Sequence, residues 1–381
     1  MYIEICQDVI EDAIAKASQK VNDSLDLLQL FAVFSLKGKH IISIPCLKSN
    51  KDLVDSLKTI MGASNVWKLR RSEEKSYIMP SIKAAVSVFC IVTYSGKTQQ
   101  EEKAIVINPS LMKDFESFLE TRFVTENLLD AKFFKYVAHF YLRQKLLKGI
   151  NICFDAIPGG GSTTCDIVRR EIVEAKRFCL VVVDSDKKYP DQPEYGDTAK
   201  KIKKVEELYP SKTCRVYIME EVMEIENLIP ERIVRDYASD KSSCDILERD
   251  FSFFDMKVGI CLKGLYKNEV YDYWKIQLQN EGIDFSQREM AIENTSTRDQ
   301  YERYIDDNNL TNEIKKGFGS DLLRLVTCNC DIDGKIRFPE LENEMYNNIH
   351  PYDLTDKQLK EWNAIGGLVF SWCCGMTARS V

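Results

Sequence analysis

The sequence contains no long apolar run. Nowhere do ~18 consecutive apolar residues occur, which is the least that a membrane-spanning helix needs. The 381-residue chain does not begin with a basic segment followed by an apolar core, so no secretory leader is expected. Glycine and proline are few, at 17 and 10 residues, and no stretch is biased enough to predict disorder. We therefore expect a folded, cytoplasmic protein that makes no membrane contact.

Several sequence motifs of catalysis and metal binding are also missing. The thirteen cysteines have no Cys-x-x-Cys pairs, so no structural zinc site is expected, and their odd number suits reduced thiols. The three histidines stand far apart in the chain. Neither a Gly-x-Ser-x-Gly elbow nor a phosphate-binding Gly-x-x-x-x-Gly-Lys-[Ser/Thr] loop occurs. These absences argue against a serine hydrolase and against an ATPase of the P-loop type.

The formal net charge of −7 argues against general binding to polyanions. Any contact with nucleic acid must therefore be local. Four basic clusters offer such contacts, and each can equally be the solvated face of a helix; they lie at 68–71, 169–170, 187–188 and 200–204.

The chain divides by pattern into three predicted domains. Residues 1–118 have the mixed pattern of an α+β domain, and residues 241–381 are charged and mostly helical. Between them, at 119–240, short apolar strands alternate with amphipathic helices, which predicts a parallel, Rossmann-like sheet flanked by helices. The strands are expected at 122–126, 150–156, 178–183 and 215–219, and the helices at 128–148, 164–176 and 198–208.

Carboxylates follow three of these four strands. Glu126 ends the first strand, Asp184 and Asp186 follow the third, and the segment Glu224-Ile-Glu226 follows the fourth. Reactive groups collect at the carboxyl ends of the strands of a parallel sheet. Because carboxylates packed together repel one another, a divalent cation such as Mg²⁺ would relieve the repulsion. The alternative is that these side chains only cap helices.

A glycine turn at 158–162 follows the second strand and opens a helix. The backbone N–H groups of Gly160, Gly161 and Ser162 are candidates for holding a phosphate oxygen, since a helix start favours anions. A tight strand-to-helix connection explains the same glycines equally well.

Taken in order, these segments resemble the TOPRIM family, and within it the nuclease branch of the overcoming-lysogenization-defect (OLD) proteins and related anti-phage effectors. Residues 123–130 are similar to that family's apolar strand, Glu-Gly and following Asp, although Asn127 replaces the glycine. The glycine turn, the Asp-x-Asp of Asp184 and Asp186, and the Glu-x-Glu-Asn at 224–227 complete the resemblance. It covers roughly 110 residues, the size of a domain.

The resemblance implies a TOPRIM catalytic domain that cuts DNA or RNA with Mg²⁺ or Mn²⁺, by two ions together. Glu126 would be a metal ligand or the general base, and Asp130, Asp184, Asp186 and Glu226 would be further metal ligands. An ATPase would be a separate subunit, in a bacterial anti-phage system. Lys257, after an apolar run, is a candidate for stabilising transition-state charge, and a surface lysine is the alternative.

Two other functions remain open. The domain can keep this fold and bind a partner without catalysis, as the acidic net charge allows, or it can serve strand passage or primer synthesis. Residues 329–340 fit the template of a calcium-binding loop, although the usual second copy is missing. A solvated turn is the alternative there.

Overall fold

The computed structural model describes residues 1–71, 77–95, 103–111, 116–238, 243–279, 281–328 and 340–378. The chain forms two compact units. The first comprises residues 1–182, 202–217 and 363–381, and the second comprises residues 183–201 and 218–362. These boundaries differ from the predicted ones at 118/119 and 240/241, because each unit is assembled from segments that are far apart in the sequence.

The secondary structure alternates between short strands and helices. The strands are β1 Tyr2–Ile5, β2 Ile41–Ser43, β3 Phe89–Val92, β4 Ala104–Ile107, β5 Arg122–Thr125, β6 Ile150–Ile152, β7 Asp155–Pro158, β8 Cys179–Val183, β9 Cys214–Ile218, β10 Gly259–Cys261, β11 Glu313–Lys316 and β12 Cys374–Met376. The helices before residue 240 are α1 Gln7–Ala15, α2 Asp23–Lys37, α3 Cys46–Ser49, α4 Lys51–Met61, α5 Ala63–Leu69, α6 Met79–Ala85, α7 Leu128–Gln144, α8 Thr164–Glu174, α9 Asp197–Leu208 and α10 Glu231–Tyr237. The later helices are α11 Asn268–Gln277, α12 Ser286–Glu293, α13 Arg298–Asp307, α14 Leu322–Cys328, α15 Leu341–Asn347 and α16 Asp356–Cys373.

The N-terminal part of the first unit contains a four-stranded parallel sheet in the order β2-β1-β3-β4. Parallel neighbours need crossover connections, and helices α1–α6 lie between these strands in the chain. This corrects the expectation of an α+β domain at 1–118, since the arrangement is α/β. The sequence pattern did not reveal it because the pairing of such short strands is non-local.

A second four-stranded sheet, in the order β7-β5-β8-β9, follows. Strand β5 pairs in parallel with both β7 and β8, so the predicted parallel sheet flanked by helices is confirmed. All five residues of β8 are buried, as expected for a central strand covered on both faces. The chain passes into the second unit at Val183, the last residue of β8, and again at Ile218, the last residue of β9.

The strand expected at 150–156 is divided into two pieces. Only β7 joins the parallel sheet, whereas β6 pairs antiparallel with β12 near the C-terminal end of the chain. Between them, the backbone N–H of Cys153 donates to the carbonyl of Cys373 at 2.8 Å. A partner more than 200 residues away in sequence thus interrupts the apolar run.

The second unit contains helices α10–α15, parts of α9 and α16, and an antiparallel pair formed by β10 and β11. One of its apolar clusters packs Leu262 and Ala291 against Tyr301 and Ile305. In the parts of the chain that the structure describes, no helix is both long enough and apolar enough to cross a membrane.

His139, in the middle of α7, gives the first unit a pH-dependent stability. Burial, together with Lys135 and Arg143, lowers the pKa of this histidine from 6.5 to about 4. Between these two values the unfolded chain binds a proton at His139 and the folded chain does not. The free energy of unfolding should therefore decrease as the pH falls through this window.

We expect His139→Gln to make the free energy of unfolding less dependent on pH in that window, as measured by urea denaturation at several pH values. The matched control is His350→Gln, because His350 is exposed. Equal pH dependence in wild type and His139→Gln would contradict this assignment.

Candidate functional site

The candidate residues are divided between the two units. Glu126, Asp130 and the glycine turn at 160–162 belong to the first unit, whereas Asp184, Asp186, Glu226 and Lys257 belong to the second. Glu126 directly follows β5 and Asp184 directly follows β8, and these two strands are hydrogen-bonded neighbours. Both carboxylates thus come at the carboxyl end of a parallel strand, as expected.

In the first unit, Asp130 has a role in capping α7. Its Oδ2 accepts a hydrogen bond from the backbone N–H of Asn127 at 2.9 Å, and Oδ1 of Asn127 accepts from the N–H of Asp130 at 3.3 Å. This reciprocal pair is a capping box. Asp130, which matches the family's aspartate, and Asn127, which replaces the family's glycine, therefore both have a structural function here.

The glycine turn is attached to the end of β5. The N–H of Gly159 donates to the carbonyl of Thr125 at 2.7 Å, and the N–H of Gly160 donates to the carbonyl of Glu126 at 2.9 Å. Gly160 and Gly161 both have positive φ, at 75° and 62°, which favours glycine. The N–H of Gly160, one of the three groups predicted to hold phosphate, is thus already engaged, and for Ser162 only the backbone is described.

In the second unit, the Asp-Ser-Asp segment after β8 is anchored through its central residue. Ser185 is fully buried, and its Oγ donates to the carbonyl of Val222 at 2.7 Å. The N–H groups of Ser185 and Asp186 both donate to the carbonyl of Met223, at 3.1 and 3.0 Å. Oδ1 of Asp184 accepts from the N–H of Ile225 at 3.0 Å. The positions of both aspartates are therefore fixed by the segment 222–225.

Asp186 has a left-handed backbone conformation, with φ of 53°. Non-glycine residues seldom adopt this region, although aspartate tolerates it better than most. Burial, followed by the nearby carboxylates Asp255 and Asp197, raises the pKa of Asp186, while Lys188 and Lys257 act in the opposite direction. This carboxylate is thus held in an unusual conformation where a cation would stabilise its charged form.

Gly196 packs directly against Asp186. A Cβ at position 196 would lie 2.3 Å from the Cβ of Asp186 and 2.5 Å from its Oδ2. We expect Gly196→Ala to displace Asp186 and to lower the free energy of unfolding by about 1–3 kcal/mol, as overpacking does. Thermal and urea denaturation measure the effect.

The matched control for Gly196→Ala is Gly264→Ala, in the same unit. A Cβ at position 264 meets no atom within 4 Å. Its free energy of unfolding should stay within ~0.5 kcal/mol of wild type, the range of neutral substitutions. If both variants lose stability equally, the contact with Asp186 is not the cause.

Lys257 forms ion pairs with two buried glutamates. Its Nζ lies 3.0 Å from Oε2 of Glu224 and 3.0 Å from Oε2 of Glu226. The side chains of these glutamates are only 6% and 3% exposed, whereas that of Lys257 is 37% exposed. The two glutamates that follow β9 therefore share one cation that the chain itself provides.

The electrostatics of this trio follow from its burial. Burial, together with the charge of Glu226, raises the pKa of Glu224 to about 7. Burial opposes the charged form of Lys257, but Glu226 and Glu224 outweigh it and raise the pKa of this lysine. Oε1 of Glu224 also accepts a hydrogen bond from the N–H of Met256 at 2.9 Å. The positive charge of Lys257 thus offsets the charge of the two glutamates, and the hydrogen bond from Met256 fixes the position of Glu224.

The apolar run before Lys257 is not a strand. Within 251–261, only Gly259–Cys261 forms a strand. Nδ2 of Asn227 donates to the carbonyls of Phe251 and Phe254, at 2.8 Å each, and Oδ1 of Asp255 accepts from the N–H groups of Lys257 and Val258. Side chains thus satisfy backbone groups that a strand would pair with a neighbour.

The donor set for a cation consists of oxygen atoms, which suits magnesium better than zinc. Asp184 and Asp186 remain candidates for binding such a cation, whereas Glu224 and Glu226 are paired with Lys257. Within the described ranges, no three side chains of His, Cys, Asp or Glu stand close enough together to form a metal-binding group. Of the predicted calcium loop at 329–340, residues 329–339 lie outside the described residues.

Sequence reasoning missed several residues that define this region. It did not include Glu224 among the site residues, although the Glu-x-Glu spacing pointed to it. Gly196 and Asp255 were missed entirely, and Lys188 was noted only as part of a basic cluster, because only the folded chain shows that they affect Asp186. No local pattern marks them.

Comparisons with known proteins complete the description of this region. No family model, no curated protein and no solved structure matches the chain.

Proposed function

We propose that the chain is a magnesium-dependent nuclease of the TOPRIM type, which hydrolyses phosphodiester bonds in DNA or RNA. It would act as the effector of an anti-phage system with a separate ATPase subunit. The parallel α/β sheet is compatible with this proposal. The resemblance at Glu126, Asp184, Asp186 and Glu226 is what suggests the specific activity.

One observation carries the proposal: the left-handed conformation of Asp186 after a buried central strand. Backbone strain persists where the surrounding structure enforces it, and such positions concentrate at functional sites. Here Met223 holds the backbone of Asp186 and Gly196 leaves space for its side chain. If the carboxylate of Asp186 were only solvated, neither the hydrogen bond to Met223 nor the space beside Gly196 would be needed.

In this proposal Asp184 and Asp186, which belong to the same unit, are the residues that would hold the metal. Bound Mg²⁺ would supply an activated water and compensation of charge on the phosphate. The chain's own contribution is positional: the N–H of Ile225 orients Asp184, and the buried Ser185 fixes the segment. Lys257 forms ion pairs with Glu224 and Glu226 and holds their side chains in place, so we assign it a positioning role.

A second candidate function is binding of a partner without catalysis. The ion pairs of Lys257 favour this function, because Lys257 already neutralises carboxylate charge that a second metal ion would otherwise neutralise. This function predicts the same fold with no cutting activity under any condition.

The test is a cutting assay with the purified chain, on plasmid, single-stranded DNA and total tRNA. We expect cutting of at least one substrate with Mg²⁺ or Mn²⁺ and none with EDTA. The assay is repeated with any ATPase that co-purifies. An absence of cutting in every arm would reject the nuclease and leave partner binding as the function.

A further inference from the structure

A half-open cavity of about 90 Å³ lies in the second unit, next to the Asp-Ser-Asp segment. A single buried water needs only ~10–15 Å³ of such space, so the cavity has room for a ring-sized group. Its lining includes four apolar and two charged side chains that determine its chemistry: Met223, Phe253, Ile260 and Trp274, with Lys188 and Asp255.

The walls of the cavity are mostly apolar and partly aromatic. Phe253 and Trp274 belong to the lining and are only 2% and 3% exposed, so each presents only a small part of its ring to a ligand. Aromatic walls suit a planar ring, because offset and edge-to-face packing are favourable. An aliphatic group would fill the same space, but it would form no hydrogen bond with the carboxylate of Asp255, which also lines the cavity.

Asp255 supplies the polar group of the cavity. Its Oδ1 accepts hydrogen bonds from the N–H groups of Lys257 and Val258, at 3.1 and 2.8 Å, which holds the carboxylate in place. A positioned carboxylate in an apolar pocket selects a ligand that donates hydrogen bonds, such as the amino or ring N–H groups of a nucleobase.

The cavity is connected to the candidate catalytic segment through two residues. Met223, in its wall, accepts the backbone hydrogen bonds of Ser185 and Asp186. Lys188 lies two residues after Asp186 and is exposed, with its Nζ 3.9 Å from the Sδ of Met223. A cation at this edge complements a phosphate that follows or precedes the bound base.

We infer that this cavity takes one unpaired nucleobase of the substrate, so that the nuclease acts on single-stranded nucleic acid. The inference rests on the proposed function for the role of the bound strand. Within a duplex each base is stacked and paired, so a base reaches such a pocket only when it is unstacked. Because the aromatic side chains of the lining are almost fully buried, the cavity would take the base by its shape and by the carboxylate of Asp255.

The test compares binding of two labelled oligonucleotides of equal length and charge, one with bases and one with abasic units. Fluorescence anisotropy in Ca²⁺, with the strands checked for integrity afterwards, gives the two affinities. We expect the wild-type chain to bind the base-bearing strand about tenfold more tightly. Equal affinity for the two strands would overturn the inference.

Gly264, an exposed residue of the lining, is a position at which a bulky side chain can be introduced to obstruct the cavity. It lines the hollow, and a Cβ there meets no atom within 4 Å. Gly264→Phe should abolish the preference for bases, whereas Ile276→Phe, at a position 64% exposed on α11, should retain it. If Gly264→Phe does not fold, Gly264→Leu is used. A folded variant with a bulky side chain at position 264 that still prefers the base-bearing strand would also overturn the inference.

The two proposals fail in different ways. Cutting without a preference for bases would leave the nuclease standing and reject the pocket. A preference for bases without cutting would reject the nuclease and keep the pocket as a binding site for single strands.

Discussion

The double variant Asp184→Asn/Asp186→Asn should lose metal-dependent cutting by a factor of ~10³ or more, because metal ions supply several kcal/mol of transition-state stabilisation. Asparagine is the sharpest replacement. Its Oδ1 can still accept the hydrogen bond from the N–H of Ile225, and it tolerates the left-handed conformation at position 186. The variant thus removes charge while it preserves shape.

The control for this experiment is Asp299→Asn/Asp307→Asn, which makes the same change in charge on two exposed residues of α13. Initial rates on the best substrate, together with melting curves for all proteins, separate loss of chemistry from loss of folding. If the folded Asp184→Asn/Asp186→Asn protein cuts at the wild-type rate, these two residues are not part of the catalytic site.

Lys257→Met should lower the free energy of unfolding by about 2–3 kcal/mol. Removing one partner of a wholly buried ion pair costs about 3–5 kcal/mol, and the exposure of Lys257 screens part of that loss. The loss arises because Glu224 and Glu226 remain buried as charges without their cation. Urea denaturation measures it, and Lys257→Arg, which keeps the charge, should lose less.

The effect of Lys257→Met should depend on pH in a definite direction. The pKa of Glu224 is about 7, so above this pH the carboxylate is charged and below it is increasingly protonated. The variant should therefore be more destabilised above pH 7 than below it. Adding Glu224→Gln and Glu226→Gln to Lys257→Met should recover part of the free energy of unfolding. If the triple variant is instead less stable than Lys257→Met, the ion pairs are not the cause of the destabilisation.

The central sheet could be predicted from the sequence because its signals are local. Strand β8 is a continuous apolar run, and α7 begins at a recognisable cap, Asn127 with Asp130. The first sheet could not be predicted as parallel. Its strands have only three or four residues, and the pairing of β1 with β2 and β3 joins segments tens of residues apart.

The candidate site could be predicted only at the level of strand ends. The position of Asp184 and Asp186 followed from the end of an apolar run, and the structure places them directly after β8. The role of Lys257 was different, because a sequence shows a lysine but not its partners. That Glu224 and Glu226 both pair with it depends on turns held by Asn227 and Asp255, which have no periodic pattern.

The antiparallel pairing of β6 with β12 links the middle of the chain to residues that a ribosome adds some 220 positions later. The ring of Trp372 likewise lies 6.4 Å from that of Phe178, and Oγ of Ser371 accepts from the N–H of Ser87 at 2.8 Å. A nascent chain cannot complete the first unit before these late residues are available. Such remote closure slows folding, and the incomplete apolar surface stays open to aggregation throughout synthesis.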